Sequence, residues 1–200
     1  MATSVHEFGH EKAHETAHSS HNAHRRIGLL ISLLALFLAV AEIQGKAAQT
    51  SAIALNVEAA NLWSFFQAKT IRQTSLRTAS EQLRLAPEGN SAEAQKQLAD
   101  WKATIERWES EPSTNEGRKE LMQRAKIAET ERNRQFERYH ALEYVSLVFQ
   151  LAIVIASVAL IADMAAFAIA GVLLGGVGAI AMVGVFAHWK WVMSLVHLIH

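Results

Sequence analysis

No cysteine occurs anywhere in the 200 residues, which excludes a disulfide framework, a thiolate metal site and a thiol nucleophile. Proline appears twice and glycine ten times, with five of the glycines inside Gly171–Gly184. The stretch from 44 to 143 therefore holds few residues that break helices and many (Ala, Gln, Glu, Leu, Arg, Lys) that favour them. Neither sign of charge is in excess: 19 Lys and Arg stand against 19 Asp and Glu. In 44–143 the signs are interspersed, so there is no basic face of the kind nucleic acid requires, and no nucleic-acid partner is expected.

What the chain does have is three long apolar stretches, Ile27–Ile43, Val145–Ala162 and Met164–Ala187. A helix needs about 17–25 apolar residues to cross ~30 Å of hydrocarbon with its backbone groups satisfied internally. The fold class expected is therefore an all-α membrane protein. It has three transmembrane helices (27–43, 145–162, 164–187), with 44–143 forming a long antiparallel, coiled-coil-like hairpin between the first and second. Arg25 and Arg26 precede the first stretch and Glu42 marks its far boundary. Ala39-Val-Ala41 also has the small-x-small form of a secretory cleavage site, but the polar leader is long for a signal and helix-favouring sequence runs through the cut. Asp163, the one charge between Val145 and Ala187, is the expected turn between the last two spans. Residues 188–200, with Trp189, Lys190 and Trp191 together, read as an interfacial amphipathic tail.

Between the spans nothing stops a helix until Pro87–Asn90, a turn signature. Ser91 then suits an N-cap, and Leu98, Trp101, Ile105 and Trp108 recur at three- and four-residue steps as a packed seam. Glu111–Gly117 interrupts, and a further helix begins near Arg118. At ~1.5 Å per residue the outgoing arm reaches ~60 Å and the two returning pieces ~67 Å end to end, as a hairpin with a broken return arm requires. Its seam is expected to hold Leu62, Phe65, Phe66, Leu76, Leu83 and the tryptophans. The alternative is a squat three-helix bundle. Lys126, Arg132, Arg134, Arg138 and Lys190 outnumber Arg25 and Arg26, which favours a cytoplasmic hairpin.

Candidate chemistry begins in residues 1–26. His6, His10, His14 and His18 recur every fourth residue, followed by His21 and His24. On a helix these form one stripe, and imidazoles one turn apart can share Zn²⁺, Ni²⁺ or Cu²⁺. Glu7, Glu11 and Glu15 create overlapping His-Glu-x-x-His strings, but the leader lacks the apolar residues to bury a zinc-protease cleft. A solvated polar tail is the plainer account, with no resident cofactor and loosely bound metal as the alternative. In the third span Gly171 and Gly175 make a small-xxx-small helix-packing pattern. Glu42 and Asp163 at span ends read as solvated caps, and Gln150 and Ser157 as interhelical hydrogen-bonding groups. Leu62 and Phe66 read as packing residues of the hairpin base. Lys69 and Arg72, one turn apart, are candidate holders of an anionic lipid headgroup.

The run Asn61-Leu-Trp-Ser-Phe-Phe-Gln-Ala-Lys69 within Asn56–Thr74 follows a single span ending Ala41-Glu42 and a histidine-containing leader. With the two carboxyl-terminal spans, it resembles the bacterial domain of unknown function 4337 family over most of the chain. That resemblance implies a small multi-pass protein of the bacterial inner membrane and brings no catalytic residues with it. The functional expectation is a non-enzymatic, oligomeric membrane scaffold or interaction protein, contacting lipid, itself and a protein partner of unknown identity. The alternative is a metal-ion transporter or channel accessory that uses the leader for capture.

Overall fold

The computed structural model describes the backbone of residues 3–199 and the side chains of residues 24–188. Among the described residues all regular structure is helical, in four helices: α1 Thr3–Leu85, α2 Ala92–Glu109, α3 Arg118–Ala162 and α4 Ala165–Ile199. Three of them are long and apolar enough to cross a membrane, through segments lying in α1, α3 and α4.

The helix ends have local causes. After Leu85 the chain turns through Pro87, whose ring cannot continue the helix. At Gly89 an added Cβ would lie 2.6 Å from the Leu83 carbonyl oxygen and 2.9 Å from that of Arg84, so only glycine fits the turn. Ser91, with extended backbone, caps α2 by accepting from the Ala94 N–H at 3.1 Å. Between α3 and α4 stand only Asp163 and Met164. Asp163 takes a left-handed φ of 49°, which Asp tolerates better than most side chains.

The chain divides into two compact units. One comprises Met1–Ala48 and Glu137–His200. In it α1 runs antiparallel to α3: Gln44 accepts from Arg138, Gln150 Nε2 lies 3.5 Å from Glu42 Oε1, and His24 Nε2 is 3.8 Å from Asp163 Oδ1. Buried α3 residues fall at Leu142, Val145, Phe149, Ala152, Ala156 and Ala159, strict three- and four-residue steps. The core joins Leu34, Ala41, Val145, Phe149, Ala152 and Met182, with the Phe37 and Phe149 rings stacked at 5.8 Å. Its outside is apolar too. Leu29, Ile161, Leu173 and Ile180 are all at least 64% exposed, an arrangement that water disfavours and hydrocarbon does not.

The other unit is Gln49–Phe136. Contacts descend α1 as they climb α2 and α3: Gln73 meets Ile105, Thr70 meets Arg118, Trp63 meets Glu129, and Asn56 meets Arg132. α2 and the start of α3 thus follow one another along α1, both antiparallel to it. The apolar seam is Ala59 and Leu62 against Leu121, Ala125 and Ala128, with Trp63 and Phe66 beside them. Small residues at most of these positions let the helix backbones approach closely.

Candidate functional site

The polar unit has a charged interior where an apolar one is expected. Along α1 the seam positions Leu62, Phe66, Lys69, Gln73 and Leu76 follow one another at four- and three-residue steps. Two of those five are polar, and both are buried: Lys69 is 6% and Gln73 2% exposed. They lie where α2 ends and α3 begins, so three helices supply the surrounding groups.

Gln73 is the hub. Its Nε2 donates to the Ile105 carbonyl at 3.1 Å and to Glu109 Oε2 at 3.1 Å. Its Oε1 accepts from Arg118 Nη1 at 2.8 Å, and the same nitrogen lies 2.7 Å from Glu109 Oε2. Arg118 also donates through Nε to Thr70 Oγ1 at 3.0 Å, with its guanidinium 4.9 Å from the Phe66 ring centre. Gln73, Glu109 and Arg118 therefore form a closed ring of side chains, one from each helix. The Gln73 hydrogen bond, reinforced by Arg118, holds the Glu109 carboxyl below its ordinary value despite partial desolvation.

Lys69 works on the adjoining loop. Its Nζ donates to the Glu116 carbonyl, sits 4.0 Å from Glu111 Oε2 and lies 5.3 Å from the Phe65 ring centre. Glu120, in the first turn of α3, reaches back across the same loop. Oε1 accepts from Ser110 Oγ at 2.6 Å and Oε2 from the Glu111 N–H at 3.2 Å. The Ser110 bond lowers the Glu120 carboxyl. Asn115 supplies the left-handed residue of the loop (φ 55°). Gly117 supplies space: a Cβ there would run into Glu120 Oε2 and the Glu111 nitrogen and lie 2.7 Å from Ser110 Cα. The whole arrangement fastens α2 to α3 and both to α1, and each polar group named is used by another.

The residues singled out from sequence fare differently. Leu62 and Phe66 lie in the seam, whereas Phe65 turns outward at 37% exposure, its ring centre 5.3 Å from the Lys69 ammonium. Trp101 and Trp108 are half-buried on α2. The structure does not bring Lys69 and Arg72 together: Lys69 points into the seam and Arg72 is exposed. Gly171 packs on α3, where a Cβ would lie 3.1 Å from that of Ala156. Gly175 packs on α1, where a Cβ would lie 2.5 Å from Leu34 Cδ2. Both glycines thus serve contacts within the chain. Gly178, three residues on, continues the row beneath Phe149, which a Cβ would approach at 3.0 Å.

Of the leader histidines, His6, His10, His14, His18 and His21 lie outside the residues whose side chains are described, as does the interfacial tail beyond His188. His24 is described and stands beside Asp163. Among the described residues there is no cluster of three or more His, Asp or Glu able to hold a metal ion.

Sequence reasoning missed Gln73, Glu109, Arg118 and Glu120 as a group. The available signal was the row itself, since a lysine and a glutamine at consecutive seam positions demand buried partners.

Comparison with known proteins agrees with the extent of the described chain. The family model described as Domain of unknown function (DUF4337) matches residues 23–188. That match takes in the three apolar segments, the polar unit and His24, and leaves the other five leader histidines outside. No curated protein and no solved structure matches.

Proposed function

The chain belongs to this family of unknown function, and from that premise we propose that it is a multi-pass membrane scaffold. Its apolar helices cross the bacterial inner membrane, while Gln49–Phe136 projects into water as a helical hairpin. The role proposed is non-catalytic: the hairpin offers its surface to other protein chains, a second copy included. One observation carries this reading. The polar side chains drawn into the seam, Lys69, Gln73, Glu109 and Arg118, are spent on one another and on loop carbonyls, so the unit's interior is a clasp and its outside is what remains to meet a partner.

The test is the particle mass of the full-length protein extracted in mild detergent, with reporter fusions at residue 90 giving the side of the membrane. A mass corresponding to several chains, or to the chain plus a co-purifying protein, supports the scaffold. A monomer with no co-purifying protein, or a chain freely soluble without detergent, overturns it.

A second reading, metal capture by the leader feeding the spans, has one observation in its favour. His24 and Asp163 bring an imidazole and a carboxylate within 3.8 Å at the end of the apolar helices that adjoins the leader. Titrating Zn²⁺ into the intact protein and into a variant lacking residues 1–24 separates the two. Affinity equal in both removes the leader from any role in metal binding.

A further inference from the structure

We propose that the exposed face of α1 opposite its buried seam, between Ile53 and Thr78, is the surface on which a second copy of this chain docks in parallel. This rests on the scaffold reading above and names its partner and contact. The seam of α1 in the polar unit runs through Ala52, Ala59, Leu62, Lys69 and Gln73. The positions turned away from the seam include Ile53, Val57, Ala60, Ser64, Ile71 and Thr78, all exposed, with Ile53 and Val57 at 54% and Ile71 at 67%. These are the outer positions of a two-helix coil, which normally carry charge.

Here the row is uncharged from end to end, although α1 has charges to place: Glu58, Arg72, Arg77 and Glu81 are exposed on its flanks. The facing arm differs in carrying charge, with Lys119, Arg124 and Lys126 exposed on α3 alongside Ile127. Two hydroxyls on this side of the helix donate their protons to its own backbone. Ser64 Oγ donates to the Ala60 carbonyl and Thr74 Oγ1 to the Thr70 carbonyl of their own helix, each at 2.9 Å. A shallow concavity lined by Ile71, Thr74, Thr78 and Gln82 lies on the same face.

Area selects the occupant. The row covers about 38 Å of helix at 1.5 Å per residue. A strip of that length and about 10 Å wide buries roughly 800 Å² in total, short of the ~1,200 Å² that holds separate proteins together in water. Two copies anchored in one bilayer are not separate in that sense. Tethering raises the effective concentration toward millimolar, at which a contact this small suffices. Shared membrane orientation also fixes the geometry, because copies inserted the same way can pair their α1 arms only in parallel, each residue facing its own counterpart.

The absence of cysteine gives a clean test. Single cysteines at Val57, Ser64, Ile71 and Thr78 in the full-length chain, treated in membranes with a short bis-maleimide, should give covalent dimers at least ~10-fold faster than cysteines at Arg77 or Lys126, reflecting the raised effective concentration. Ile71→Glu should abolish the fast cross-linking of Ser64→Cys while leaving helicity and melting temperature unchanged. Equal rates at row and control positions overturn the proposal. So does cross-linking of Ile71→Cys to a different protein, or pairing of Val57→Cys with Thr78→Cys in mixed samples, which signals an antiparallel contact. If the untreated protein is multimeric by mass and the row cysteines stay monomeric, this face is wrong and the scaffold stands. A chain that is monomeric with no co-purifying protein removes both.

Discussion

Arg118 and Gln73 meet at 2.8 Å between the first residue of α3 and the C-terminal part of α1, and the same Arg118 nitrogen reaches Glu109 at the end of α2. The loop between α2 and α3 could by itself let those helices splay apart. One guanidinium with several donors in a fixed plane prevents it, a task for which lysine lacks the geometry.

Replacing Arg118 with Met should destabilise the protein by about 2 kcal/mol, the usual cost of stranding partners of a charged hydrogen bond. Arg118→Lys should recover less than half of that, since an ammonium cannot reach Thr70, Gln73 and Glu109 together. Melting temperature in detergent, followed by circular dichroism, reads both variants.

Acid should loosen the same region. Glu109 and Glu120 are held below their ordinary value of 4.5, the first by Gln73 and then Arg118, the second by Ser110. Groups with depressed carboxyls bind fewer protons folded than unfolded, so their contribution is fully present above the unfolded value and is lost as pH falls through the lower, folded values. Melting temperature should therefore be flat near neutrality and decline in the acid range below 4.5. Glu109→Gln with Glu120→Gln should lower the plateau and make the decline shallower. An unchanged slope in the double variant would show that these carboxylates are not the source.

Gly117→Ala and Gly89→Ala should each cost about 1–3 kcal/mol, as overpacking does. At both positions the added carbon meets backbone, namely Glu111 and Ser110 around Gly117 and the Leu83 and Arg84 carbonyls at Gly89, and backbone cannot rotate aside as a side chain can. Urea or thermal unfolding measures the cost. Gly176→Ala is the control, since nothing lies within 4 Å of its added carbon, and it should be neutral or mildly stabilising.

In α4 the two glycines of the small-xxx-small pair should behave unequally. Gly175→Ala meets the mobile end of Leu34 at 2.5 Å, which can turn away, so a modest loss is expected. Gly175→Leu wedges α4 from α1 and should lower the melting temperature by several degrees, the shift that goes with 1–3 kcal/mol in a chain of this size. Leu34→Ala should partly rescue it. Failure of that rescue would mean the two residues do not face each other.

Helix boundaries were legible in the sequence because their causes are local. Pro87, the Ser91 cap, the Glu111–Gly117 interruption and Asp163 all stand where helices begin or end. The part of α1 beyond Glu42 was legible too, as a stretch with nothing to stop a helix before Pro87, whereas the leader, read as a solvated tail, is helical from Thr3 and belongs to the same α1. The clasp was not. Lys69 paired with Arg72 by charge and proximity along the chain, but the four- and three-residue row assigns Lys69 to the seam and leaves Arg72 outside. Phe65 and Phe66 both read as seam residues from their apolar character, and the four- and three-residue row keeps Phe66 and turns Phe65 outward. Gly175 announced a close approach, while its neighbour Leu34 lies more than a hundred residues away in the chain and could come only from the fold.

The two-residue link at Asp163 and Met164 carries a consequence for biogenesis. Under the membrane reading proposed above, so little slack separates α3 from α4 that neither settles in a bilayer while the other waits outside it. Insertion on that reading treats them as one unit, a helical pair delivered together. An epitope spliced between Asp163 and Met164 would uncouple the pair, and its penalty would fall on yield during synthesis before it showed in the finished protein.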